Sequence, residues 1–163
     1  MKKMIAALLL VAILAFPVFA ESVRLSASVD FVQSPWNASG FGLSVHGVFP
    51  LLSFVDDGIK VGPGATFTFP RNDHSNLLIF GTGYFYIPKM VGADGDIVNL
   101  YVRANLGYNI PMWFGDGDSR YNGGLGWGTG VGYDITEKFF VEAMWQDYSG
   151  SYTRLHLQFG LKF

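Results

Sequence analysis

The sequence predicts an all-β protein, an antiparallel up-and-down barrel of eight strands that crosses a membrane. Three observations predict it. Apolar and polar residues alternate with period two through most of the chain after residue 20. No apolar run in that region reaches the roughly 20 residues that a spanning helix needs. The polar faces of the alternating segments carry charges of both signs, whereas the apolar faces carry almost none.

The first twenty residues are expected to lie outside this fold. Met1-Lys2-Lys3 is a cationic start, and Met4 to Phe16 then runs without a charge. Val18-Phe19-Ala20 supplies small or medium residues before Glu21. That is the anatomy of a secretory signal peptide, here residues 1–20 with cleavage after Ala20, followed by a barrel domain over 21–163. The chain has no cysteine, so neither a lipid-modified cysteine nor a disulfide is expected. It holds 21 glycines and 15 phenylalanines beside 11 basic and 13 acidic residues, and its net charge of −2 gives no reason to expect nucleic acid as a partner.

Successive side chains of a strand project to opposite faces, so alternation reads directly as strands. Val23 to Phe31 sets Val23, Leu25, Ala27, Val29 and Phe31 against Arg24, Ser26, Ser28 and Asp30. Phe41 to Phe49 sets Phe41, Leu43 and Val45 against Gly42, Ser44 and His46. Ile59 to Phe69 opposes Val61, Ala65, Phe67 and Phe69 to Lys60, Gly62, Gly64, Thr66 and Thr68. Leu77 to Ile87 is a strand whose two faces cannot be told apart. Val98 to Ile110 is the cleanest, with Leu100, Val102, Ala104 and Leu106 opposed to Tyr101, Arg103, Asn105 and Gly107. Leu125 to Ile135 opposes Leu125, Trp127, Val131 and Tyr133 to four glycines and Asp134. Phe139 to Trp145 and Leu155 to Phe163 complete the eight. Turn-formers such as Asp56-Asp57-Gly58, Thr136-Glu137-Lys138 and Ser149-Gly150-Ser151 lie between them.

A soluble barrel would bury the same leucines inside. Lipid outside is favoured because a Lys or Arg on a lipid face costs about 2–4 kcal/mol at the midplane, and these faces avoid them. Aromatic residues also gather at strand ends (Trp113, Phe114, Tyr133, Phe139, Tyr148, Phe163), as interfacial girdles require. An even strand count puts both termini on one side, which makes Thr136–Lys138 a periplasmic turn and Pro111 to Gly124 an external loop. Pro50 to Gly58 and Pro88 to Asp96 are long for periplasmic connections; either the strands extend further or the count is not eight.

The closing run Leu155-His-Leu-Gln-Phe-Gly-Leu-Lys-Phe163 resembles the C-terminal insertion signal of outer-membrane proteins. The stretch from Gly126 to Ala143 is similar to the glycine-rich strand, short turn and next strand of small barrels such as the OmpA transmembrane domain and the OmpX/Ail group. This resemblance implies residence in the bacterial outer membrane, assembly by periplasmic chaperones and an assembly machinery, and often a role as surface antigen. It implies that Leu155, Leu157, Phe159, Leu161 and Phe163 serve as the assembly signal.

An eight-strand interior is filled by side chains. Arg24, Asp30, Lys60, Arg103, Asp134, Glu142, Arg154 and His156 therefore read as an interior polar network. His46 also points inward, but no third ligand stands at an informative spacing, so no metal is expected. Asp73-His74-Ser75, in the expected outer turn, is the one grouping that suggests catalysis; adjacency alone rarely supplies the geometry a nucleophile and base need. The turns Asp94-Gly-Asp96 and Asp116-Gly-Asp118 do not continue into a calcium-loop pattern. The expectation is a non-enzymatic barrel without cofactor, structural or in contact with an extracellular ligand through Trp113, Phe114, Arg120 and Tyr121. Outer-membrane lipids are its other expected partner. The alternatives are a porin-like narrow channel for small hydrophobic molecules, as in OmpW-like barrels, and a lipid-modifying outer-membrane enzyme.

Overall fold

The computed structural model describes residues 22–33, 39–51, 58–69, 74–87, 90–91, 97–113, 123–148 and 152–163. Eight long strands form the barrel. They are β1 (Ser22–Gln33), β2 (Ser39–Pro50), β3 (Ile59–Phe69), β4 (His74–Tyr86), β7 (Leu100–Trp113), β8 (Gly124–Asp134), β9 (Phe139–Tyr148) and β10 (Tyr152–Lys162). A separate two-stranded pair, β5 (Met90–Val91) with β6 (Ile97–Val98), lies in the connection between β4 and β7. Every neighbouring pair is antiparallel, and the order β1-β10-β9-β8-β7-β4-β3-β2 closes where β2 meets β1.

Closure follows from the pattern. A sheet with one charged face and one apolar face must bury the charged face away from hydrocarbon, and closing it removes the open edges whose backbone groups lipid could not satisfy. Leu106 and Leu125, on the outer wall, are 65% and 70% exposed, whereas Arg24, Asp30, Arg103 and His156, on the inner wall, are at most 1% exposed. The seam is continuous to the last residue. Val23 and Phe163 exchange two backbone hydrogen bonds of 2.9 Å, and Leu25 stands opposite Leu161.

Three readings of the sequence are corrected in detail, and one left open is decided. The long connection before β7 neither extends a barrel strand nor changes the count of eight; it carries its own small hairpin, and Val98 belongs to β6. β7 runs on through Pro111, beyond the expected end at Ile110. Proline lacks an N–H, yet β8 has already ended its pairing at Asn109–Gly124, so Pro111 faces a partner only on the β4 side. β4 turns Leu78, Phe80, Thr82 and Tyr84 inward, an assignment hidden because both of its faces are largely apolar. Tyr148 also points inward, away from the girdle in which it was placed, and packs with Leu78 and Phe80 across the lumen.

The outer aromatics otherwise occupy both ends of the barrel. Phe41 stacks on Phe69 at 4.7 Å and Trp127 meets Trp145 edge-on at 5.0 Å toward the end away from the termini. Tyr133, Phe139 and Phe163 are exposed at the termini end, where Phe139 also stacks on Phe159 at 5.8 Å.

Candidate functional site in the barrel lumen

The inward faces build two ionic clusters at different depths. The one nearer the termini centres on Glu142 of β9. Tyr101 donates its hydroxyl proton to Glu142 Oε1 at 2.7 Å, Arg103 binds Oε2, and Arg24 Nη1 lies 3.6 Å from Oε1. Arg24 also donates to the Tyr101 hydroxyl at 2.7 Å, to the Tyr86 hydroxyl, and to Asp134 at 3.3 Å. Lys162 Nζ reaches the other oxygen of Asp134 at 2.9 Å. The Arg24 guanidinium lies 4.8 Å from the ring centroid of Phe140 and 5.0 Å from that of Tyr84, which adds attraction from the ring faces. Lys60 is half-buried beside Tyr86, 5.7 Å from its ring.

The second cluster lies toward the opposite end. Asp30 Oδ1 accepts from Ser28 at 2.7 Å and is 2.7 Å from His156 Nδ1, while Arg154 Nη1 is 3.6 Å from Oδ2. His156 Nε2 and the Tyr148 hydroxyl are 3.2 Å apart. Neutral contacts adjoin the clusters. Leu78 and Phe80 pack against Tyr148 beside the second cluster, and Ser44 and Thr66 share a hydrogen bond of 2.7 Å on the inner wall. His46 is fully buried, with Nδ1 2.6 Å from the Tyr84 hydroxyl.

Of the eight residues expected to form an interior network, Arg24, Arg103, Asp134 and Glu142 stand in the termini-side group, Asp30, Arg154 and His156 in the other, and Lys60 beside Tyr86. Sequence reasoning missed the tyrosines. Tyr84, Tyr86 and Tyr101 carry much of the termini-side cluster, and only their even spacing with Thr82 and Arg103 marked them as inward. Ser28 and the ion pair of Lys162 complete the inner set.

Chemically, this section of the lumen is a filled plug. Arg24, Arg103, Tyr84, Tyr101, Phe140 and Met144 are each under 2% exposed, and they span the interior from several strands. Buried charges are tolerated because each carboxylate of the plug has a cationic partner; a buried ion without one carries a desolvation cost of several kcal/mol. His74 and Ser75 open β4 rather than sitting in a turn. Asp73, the Asp94 and Asp116 turns, and Phe114, Arg120 and Tyr121 of the expected surface loop lie outside the described residues, as do residues 1–20, the expected signal peptide. Trp113 ends β7.

Sequence comparison with family profiles and with characterised proteins finds no match. Solved structures do match. The outer membrane enzyme PagL aligns with a TM-score of 0.63 and 12% identity, over 86% of this chain and 98% of its own. Neisserial surface protein A aligns at 0.61 and 17%, over 86% and 94%. The N-terminal barrel domain of Pseudomonas aeruginosa OprF aligns at 0.52 and 19%, over 88% and 98%. The likeness is one of fold: the chain is an eight-stranded antiparallel barrel of the kind that small outer-membrane proteins share.

Proposed function

We propose that this chain is an integral protein of the bacterial outer membrane, non-enzymatic, with a lumen closed to solutes and a structural or surface-contact role. The observation that supports it most is the contrast between the two walls. The lumen is filled by paired ions and aromatic rings, while the outer wall between the girdles is apolar. Secretion through a signal peptide at residues 1–20, folding by periplasmic chaperones and the assembly machinery, and contact with outer-membrane lipids belong to this reading.

With the termini on the periplasmic side, as the resemblance implies, the outer end carries four connections. Its connections span 34–38, 70–73 and 149–151, and only residues 114–123 form a longer one. An extracellular ligand would meet that segment, with Trp113, Phe114, Arg120 and Tyr121 as its contacts.

Two measurements test the proposal. Planar-bilayer recording and uptake of small hydrophobic molecules should both be silent; steady conductance or uptake would replace a sealed barrel by a channel. Exchange of 114–122 for a short Gly-Ser linker should leave the barrel folded and abolish cell-surface or antibody binding. Binding that survives the exchange ends the surface-contact role of this loop. Lipid profiles unchanged by His74→Ala would support the absence of lipid-modifying activity, and an altered profile would contradict it.

A further inference from the structure

The outer wall of a barrel is convex, yet this one has a recess. It has a volume of about 780 Å³ and crosses β3, β4 and β7. Gly81, Gly83 and Ala104 form its floor, and Phe49, Val61 and Leu106 stand around it. Its lining is apolar.

Packing does not require glycine at the two floor positions. A Cβ on Gly83 would meet no atom within 4 Å, and one on Gly81 would touch only the Leu106 carbonyl oxygen at 3.9 Å. Inward glycines such as Gly132 and Gly160 are different, because a Cβ there would collide with Tyr101 or Phe140. Larger side chains would fit at 81 and 83 and would fill the recess. Their absence keeps it open.

We infer that this recess seats one acyl chain of a membrane phospholipid. The inference rests on the proposed membrane residence, since only then does hydrocarbon surround this wall. Water has no polar partner on such a surface. A second barrel does not fit well, because two convex walls meet along a line and would leave the recess unfilled. A flexible hydrocarbon chain can enter it and make the dispersion contacts that close packing requires. Depth selects the lipid. Gly81 and Gly83 lie in the half of β4 nearer the termini, Ala104 in the same half of β7, and Phe49 next to the end of β2. That half belongs to the periplasmic leaflet, which is made of phospholipid.

The test is native mass spectrometry of the refolded barrel, released from detergent after titration with palmitoyl-oleoyl phosphatidylethanolamine. The parent should retain one lipid, and Gly83→Leu should bind it about tenfold more weakly, equivalent to about 1.4 kcal/mol. Ala104→Leu, which fills the same floor from β7, should act alike, and Val131→Leu on β8 should behave as the parent. Equal retention by parent and both floor variants overturns the seat while leaving membrane residence intact. A dimer that forms in the parent and is lost in Gly83→Leu overturns it in favour of a second copy. Failure of the parent to insert into phospholipid vesicles overturns both readings together.

Discussion

The ring of Tyr101 occupies the space that any side chain at position 132 would need: a Cβ on Gly132 would fall on the ring and its hydroxyl. The ring cannot step aside, because Arg24 donates to that hydroxyl and the hydroxyl in turn donates to Glu142. Gly132→Ala is expected to destabilise the barrel by about 1–3 kcal/mol, the usual cost of overpacking. In the Tyr101→Ala background the same change should cost much less, because contacting residues couple. Urea unfolding of the four proteins in one detergent measures the cycle, and simple additivity would show that the two positions do not share this space.

Glu142 accepts hydrogen bonds from Arg103 and Tyr101 and forms an ion pair with Arg24 at 3.6 Å. Glu142→Gln should cost about 3–5 kcal/mol, since it leaves Arg103 and Arg24 short of countercharge inside the barrel. Replacing Arg103 by Met at the same time should recover part of that loss. Heat-dependent electrophoretic mobility reports the folded fraction. A neutral effect of Glu142→Gln would mean that the plug is solvated rather than ion-paired.

Leu106 is exposed on the apolar wall, midway along β7. Leu106→Arg should cost about 2–4 kcal/mol when folding is measured in lipid bilayers. The cost should shrink in a short-chain detergent that lets water approach. An equal, small effect in both media would place this wall outside hydrocarbon.

Deletion of Phe163 removes the pair of backbone hydrogen bonds with Val23 and the apolar side chain that follows β10. In cells the yield of inserted barrel should fall severalfold. Barrels refolded in vitro should lose only about 1–3 kcal/mol, near the net worth of two hydrogen bonds. Equal losses in the two assays would leave the C-terminal residue as a structural contact and nothing more.

How far the sequence could be read depended on how different the two faces of each strand were. Arg103 and Asn105 against Val102 and Ala104 left no choice, and β7 lies as the alternation requires. β4 was legible as a strand but not in its orientation, because Leu78, Phe80 and Tyr84 are as apolar as Leu77 and Ile79. What decides it is the cations of other strands: Arg103 of β7 lies over the rings of Phe80 and Tyr84, and Arg24 of β1 over that of Tyr84. The division of the lumen into two clusters was not legible, because depth depends on the stagger between strands, which no single strand encodes. The recess on β3, β4 and β7 was hidden for a similar reason. Gly81, Gly83 and Ala104 become neighbours only through the β4–β7 register, in which Gly83 stands opposite Ala104.

The seam between β1 and β10 sets a condition on when the molecule can be finished. Ser26 meets Gln158 and Asp30 meets His156, partners separated by 132 and 126 positions along the chain. Arg24 likewise waits for Asp134 and Glu142. The earliest residues of the barrel therefore remain as uncompensated ions until the final thirty or so have been synthesised and delivered. Contacts of such long range make folding slow and late. A truncated chain would have to carry bare charge into hydrocarbon, so electroneutrality of the interior acts as a test of completeness before the wall can close.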